Sequence, residues 1–317
     1  MGRILFIRGG AVGDFILTMP SLRLVRETLP DNEIEILGYP SIASLALSAG
    51  LADRVRPLED PRLATFFAPG AALDPSWCGY FAGFDVVISY LYDPDGHFSG
   101  NLHAAAVRTL VACPFRPDET PPHVPAAVQL ARPLESLGLF LDDPVLDLPY
   151  SDTHETASAL ASLPVGGGPL FAIHPGSGSP QKNWGQDRWI DLLGKLRCFL
   201  PELKLLVTSG EAETNHIDDF LARLDETGLP WLHLADRPLP EIASIYRRID
   251  GYLGHDSGLS HLAASAAAKG LLLFGPTEPA VWAPLSPKIK VLRSPDGTMA
   301  ALPLATVVDA ACELFTS

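Results

Sequence analysis

Nothing in this chain sets up a disulfide framework. Its four cysteines, Cys78, Cys113, Cys198 and Cys312, are widely spaced and form no C-x-x-C, a pattern that fits a reduced, cytoplasmic setting better than a secreted scaffold. No apolar run approaches the roughly eighteen residues that a membrane-spanning helix needs. The amino-terminal MGRILFIRGG has no cleavage site, so it reads as a first β-strand and not as a signal peptide. Basic charge is scarce: 23 Lys and Arg against 37 Asp and Glu leave a net charge of −14. That balance argues against nucleic acid as a partner and against more than peripheral membrane contact. It leaves an anionic small ligand open, because a few local donors suffice for one diphosphate. His/Cys pairs at zinc spacing are missing, as is the G-x-S-x-G of serine hydrolases. No metal site is expected. There is no internal repeat and no low-complexity tail.

What is present describes a globular protein. Hydrophobic residues make up 47% of the chain and charged ones 19%, which excludes a disordered polymer. A length of 317 residues accommodates two domains, each with its own core. In the first half, strands at Arg3–Arg8, Glu33–Leu37 and Asp85–Tyr90 alternate with helical patterns such as Asp14–Thr28. Pro57–Gly83, rich in Pro, Ala and aromatics without clear period, is expected to be a functional loop or flap. A Pro- and Gly-rich break at Pro164–Pro169 precedes a second series of strands at Leu170–His174, Lys204–Thr208, Trp231–Leu234, Gly251–Leu253 and Gly270–Phe274. Alternating β and α patterns predict doubly wound parallel sheets. The domains are placed at residues 1–160 and 161–303. A last helix at 304–317 is of the kind that such folds often pack back on the first domain.

The most informative run is Gly254-His255-Asp256-Ser257-Gly258-Leu259-Ser260-His261. It predicts a tight polar turn between a buried strand and a small-residue helix, Leu259–Ala268. The free N–H groups of such a helix start hold phosphate, and the dipole favours the anion's charge. Asp256 and Ser257 suit the cap, Gly258 permits close approach, and His261 falls in the first turn. A capped helix on a sheet would explain the first three but not His261. Ser177 and Gly178, in the loop after the strand ending at His174, suit a ligand loop at a sheet's carboxyl edge. At the first βα turn, Gly9, Gly10 and Gly13 nearly match G-x-G-x-x-G, but Arg8 stands where the frame needs glycine. With Glu33 and Glu35 about twenty residues on, a nicotinamide-binding oxidoreductase survives only as a near miss. Asp14 alone reads equally as a helix cap. Asp93-Pro94-Asp95-Gly96 resembles a metal-binding D-x-D, but is also an ordinary β-turn sequence, and the turn is preferred.

The run from Gly254 to Pro284 resembles the C-terminal signature of the heptosyltransferase-like glycosyltransferases of family 9. Asp256, Ser257, Gly258 and His261 stand in order, then an alanine-rich helix, a strand, Phe274-Gly275-Pro276-Thr277, and Trp282 with Pro284. The resemblance is strong over about thirty residues and extends weakly across most of the chain. It implies a GT-B fold, two Rossmann-like domains facing a cleft. The activity it implies is metal-independent, inverting transfer of a heptose-like sugar from a nucleotide-diphosphate donor, with ADP the expected nucleotide. The acceptor would be a saccharide or glycolipid of lipopolysaccharide or a related glycan. By the same resemblance Asp14 is the general base, Lys182 in Gln181-Lys182-Asn183-Trp184 meets the diphosphate, and His261 serves the donor. Gly13, Ser177, Gly178, Asp256, Ser257 and Gly258 would line the site. A glutamate after the next strand would hold the nucleotide; spacing leaves Glu211 and Glu213 open, with Glu211 preferred. Ser89-Tyr90-Leu91-Tyr92 departs from the family's acidic station, so the acceptor stays unnamed. That departure also motivates a rival reading, a nucleotide-sugar-binding protein without transfer activity.

Overall fold

The computed structural model describes residues 2–152, 154–162, 167–210 and 217–316. Contacts divide the chain into two compact units, Met1–Pro144 and Val145–Ser317. The first contains β1 (Arg3–Arg8), α1 (Val12–Thr28), β2 (Glu33–Gly38), α2 (Pro40–Ser48), β3 (Arg54–Pro57), α3 (Pro75–Ala82), β4 (Val86–Ser89), α4 (His97–Ala104), β5 (Leu110–Ala112) and α5 (Ala126–Ala131). Its sheet has the order β3-β2-β1-β4-β5, with every pairing parallel. Strands buried on both faces read as continuous apolar runs, which is why Ile4-Leu5-Phe6-Ile7 and Val86-Val87-Ile88 stand out in the sequence.

Pro57–Gly83 is not a loop or flap. Pro61–Phe67 forms a 3₁₀ segment capped by Asp60, and α3 is capped by Asp74, whose carboxylate accepts from the amides of Ser76 and Trp77. Leu63, Phe66, Trp77 and Phe81 are fully or almost fully buried against Leu5, Leu37 and Val87 of the sheet. Two short helices that place one aromatic side chain per turn inward leave no long helical period, so the segment looks irregular as a sequence.

The second unit contains α6 (His154–Ala161), β6 (Leu170–Ile173), α7 (Gln186–Phe199), β7 (Lys204–Ser209), α8 (Ile217–Thr227), β8 (Trp231–Ala235), α9 (Leu239–Tyr246), β9 (Gly251–His255), α10 (Gly258–Ser265), β10 (Gly270–Phe274), α11 (Pro279–Trp282), β11 (Ile289–Arg293) and α12 (Leu304–Thr316). The sheet order β11-β10-β9-β6-β7-β8 is again wholly parallel. Counted from β6, this is the six-stranded Rossmann order.

The division falls earlier than the Pro/Gly break suggests, because the strip after Pro144 is bonded into the second unit. The Leu148 amide donates to Ser265 O at 2.8 Å, the Tyr150 and Ser265 hydroxyls lie 3.2 Å apart, and Arg247 reaches Leu148 O at 2.7 Å. At the other end, α12 lies on α7 and β10 of its own unit, with Val307, Ala310 and Ala311 in the core there. Among the described residues no helix is long and apolar enough to cross a membrane.

Two phenylalanines of the second unit test this core. Phe220 is fully buried, whereas Phe199 is 58% exposed at the end of α7. In urea unfolding, Phe220→Ala should lose about 3–5 kcal/mol, and Phe199→Ala should stay within about 0.5 kcal/mol of the parent. Equal losses would place the core elsewhere.

Candidate functional site

In an open α/β sheet, ligands bind outside the carboxyl ends of the strands where the strand order reverses. In the second unit that point lies between β6 and β9, which pair directly. The segments leaving these two strands carry Ser177, Gly178 and Lys182 on one side and Asp256, Ser257 and Gly258 on the other. The structure brings them together. Lys182 Nζ lies 2.6 Å from Asp256 Oδ2, and the Thr277 hydroxyl donates to the same oxygen at 2.8 Å. Asp256 is 7% exposed and the Lys182 side chain 29%. The pair holds the ammonium at one place. Among the described residues Asp256 takes one of the three Lys182 donors, leaving capacity for a further anion.

Asp256 leads straight into α10. Ser257 is the N-cap, accepting from the Ser260 amide, and its hydroxyl lies 3.1 Å from that of Ser260. Gly258 and Leu259 open the helix, so their amides have no carbonyl within it to meet. These are the donors an anion would use. Ser260 Oγ reaches back to His255 O at 2.5 Å, and Gly254 permits that approach. A Cβ at Gly254 would lie 2.9 Å from Ser260 Oγ and 2.8 Å from the Tyr252 ring. His261 lies in the first turn but is only 4% exposed, and its amide donates to Ser257 O.

Ser177 is buried, with its hydroxyl 2.8 Å from Ser179 O and 2.7 Å from Asn183 Oδ1. It shapes the loop from within. A Cβ at Gly178 would meet nothing within 4 Å, so its backbone borders open space. Trp184 is a packing residue: its indole N–H donates to Leu302 O at 3.0 Å and its ring lies edge-on to Trp189. Sequence reasoning assigned no part to His255 or Thr277. β9 runs on to His255, so the polar turn begins only at Asp256. The signal for Thr277 was its place after a strand beside the one carrying Asp256. Glu211 and Glu213 lie outside the described residues.

The first unit reverses its order between β1 and β4. Gly10, at φ +98°, turns the chain out of β1, and a Cβ there would lie 2.9 Å from Asp14 Oδ2. The helix begins at Val12, so Asp14 is its third residue and not its cap. Its Oδ2 accepts from the Ala11 amide at 3.0 Å, while Oδ1 stands 3.9 Å from Arg8 Nη2. Gly13 is part of the first helical turn. Arg8 is 2% exposed and donates to the carbonyls of Phe115, Asp14 and Tyr90 at 2.9, 3.2 and 3.3 Å. Burial lowers its pKa below the usual arginine value, against the pull of Asp14. Arg8 thus stands, buried and bonded to three carbonyls, where the fingerprint has its first glycine.

Beside it, Ser89, Leu91, Tyr92, Asp93, Cys113 and Phe115 border a pocket of about 210 Å³. Asp93 accepts from the amides of Phe98 and Ser99 at 2.9 and 2.8 Å, and from the Ser99 hydroxyl at 2.7 Å. Its carboxylate therefore caps α4, and the Gly96 amide donates to Asp93 O at 3.2 Å, closing the β-turn expected of Asp-Pro-Asp-Gly. Burial works to raise its pKa, but these donors outweigh it and hold the carboxyl below the ordinary range. Among the described residues no group of three or more His, Cys, Asp or Glu could hold a metal ion.

Comparison with known proteins follows the geometry. The family model described as glycosyltransferase family 9 (heptosyltransferase) matches residues 103–306. A family 9 glycosyl transferase from Veillonella parvula superposes with a TM-score of 0.77 at 16% identity, covering 99% of this chain and 97% of that one. The E. coli ADP-heptose lipopolysaccharide heptosyltransferase II gives 0.75 at 16% identity, covering 99% and 98%. E. coli heptosyltransferase WaaC, solved with ADP, gives 0.69 at 19% identity, covering 98% and 99%. A search of curated proteins returned no match. The structural likeness shows the fold, which is GT-B.

Asp93 provides a test at this stage. Asp93→Ala should cost about 0.5–2 kcal/mol of stability near neutral pH, as lost helix caps do. Because the folded pKa is depressed, that difference is complete above the ordinary carboxylate value of about 4 and shrinks as pH falls through the lower folded value. Denaturant midpoints at several pH values measure it. A difference that does not change with pH would show that the carboxylate is not the cap.

Proposed function

This chain belongs to glycosyltransferase family 9, and on that footing we propose that it moves a heptose-like sugar from an ADP-linked donor to a saccharide acceptor, with inversion and without a metal. The acceptor class is a cell-envelope glycan such as lipopolysaccharide, and the setting is cytoplasmic. One observation carries the reading. At the switch point of the second sheet, a lysine held by a buried aspartate stands beside the open amides of a helix start. That is a site for a diphosphate. The ADP bound to WaaC and the ADP-heptose named for heptosyltransferase II support the choice of nucleotide.

In this reading Lys182 and the amides of Gly258 and Leu259 receive the diphosphate, with Gly178 giving the backbone room to approach. Ser177 and Ser257 hold the two loops in shape, and Asp256 orients Lys182. His261, largely buried in the first turn of α10, is assigned to the donor. Glu211 is assigned to the nucleotide. The acceptor hydroxyl oxygen attacks the anomeric carbon as the bond to the diphosphate oxygen breaks, a single displacement that inverts the centre. Negative charge gathers on the departing diphosphate, where fixed donors in a partly dry site stabilise it more than water does. Asp14 takes the proton of the attacking hydroxyl, a contribution of about 10²–10⁴-fold. Its carboxylate is one-third exposed and keeps one oxygen on the Ala11 amide.

Two substitutions separate these roles. Asp14→Asn retains an acceptor for the Ala11 amide, so the fold and ADP affinity should persist while kcat falls about 10²-fold or more. Lys182→Ala should weaken ADP binding by about tenfold or more, the value of a charged hydrogen bond. Calorimetric titration with ADP and a radiolabelled-sugar transfer assay provide the two readouts. Wild-type turnover in Asp14→Asn would reduce that residue to a helix-terminal contact, and unchanged ADP affinity in Lys182→Ala would remove the lysine from the site.

A further inference from the structure

The loop that carries Lys182 is long and irregular, yet Lys182 meets Asp256 at 2.6 Å. Something must fix it. Directly beneath it, fully buried at the end of β9, stands His255. The Trp184 amide donates to His255 Nε2 at 2.9 Å, so that nitrogen carries no proton. Nδ1 must then carry it, and it lies 3.3 Å from the carbonyl of Gly176. Gly176 and Trp184 are the two ends of the segment containing Ser177, Gly178 and Lys182. One imidazole therefore ties both ends to the strand from which Asp256 leaves. The edge-on ring of Trp189, 5.1 Å away, packs against the same imidazole.

We propose that His255 is a positioning residue of the donor site: as a neutral Nδ1–H tautomer it clamps the loop 176–184 and so places Lys182 on Asp256 where the diphosphate is received. This rests on the donor-site reading of Lys182. It adds a residue outside the signature positions and gives it a defined hydrogen-bonding state. A neutral ring is required, because a protonated Nε2 would present a hydrogen to the Trp184 N–H. Burial provides that state, pushing the His255 pKa down to about 3 against the opposing pull of Gly176 O and Asp256. The clamp thus holds through the whole range in which an ordinary histidine titrates, near pH 6.5.

The two arms can be replaced separately. His255→Gln offers an acceptor near the former Nε2 but no donor for Gly176. His255→Asn offers a donor near the former Nδ1 but no acceptor for Trp184, and His255→Phe offers neither. Each is checked for a cooperative thermal transition, then titrated with ADP alone and in the Lys182→Ala background. We expect ADP affinity to fall about tenfold in His255→Phe and less in the Gln and Asn variants. In the Lys182→Ala background the same substitutions should change it little, since both then act through one contact. Amide exchange at Trp184 in the ligand-free protein should quicken in His255→Phe, and the wild-type imidazole should show no titration by NMR between pH 5 and 8.

Additive losses in the double variants would overturn the proposal, as would a ring that titrates near its ordinary value. If Lys182→Ala weakens ADP but His255→Phe does not, the clamp is wrong and the donor site stands. If Lys182→Ala binds ADP as the parent does, the donor-site reading fails first and the clamp's role in it fails with it.

Discussion

One buried carboxylate joins parts of the chain that are far apart in sequence. Asp256 meets Lys182 from the loop after β6 and Thr277 from the segment after β10, while its own backbone starts the turn into α10. Removing its carboxylate would free the ammonium and release the threonine hydroxyl together. The pair also sets the electrostatics of the place. A lone ammonium beside helix amides would be strongly positive. Paired with Asp256, it is held in one place instead of sampling solvent conformers.

The two units share a topology and use it differently. Each reverses strand order beside its first strand. In the second unit the reversal is lined with amides and a cation. In the first it is closed by Arg8, whose guanidinium binds three carbonyls and leaves Asp14 at the rim. A guanidinium already committed to backbone oxygens has little left for a phosphate. The same topology thus places a lysine and a helix start at the reversal in one half and a carboxylate in the other.

Much of this was legible in the residues. Runs such as Gly270–Phe274 and Ile4–Ile7 announce themselves because a sheet buried on both faces leaves few polar positions. The run Asp256-Ser257-Gly258 is legible because few residue types suit a helix start. Pro57–Gly83 was not legible, since its core contacts come from aromatic side chains on helices too short to show a period. Short elements such as β3, β5 and β11 escaped for a related reason: Arg54–Pro57 is half polar, and pairing alone makes it a strand. His255 escaped because its two hydrogen-bond partners are backbone groups that only the folded loop brings to it.

The claim that a nucleoside diphosphate is held at α10 is tested most directly by hydrogen–deuterium exchange with and without saturating ADP. Ligand donors buried by binding exchange more slowly, and the method resolves where. The account predicts slowed exchange in two stretches, Gly176–Lys182 and Ser257–His261, with Gly9–Asp14 unchanged. Slowing at Gly9–Asp14 with none at Ser257–His261 would contradict it and move the nucleotide to the first unit.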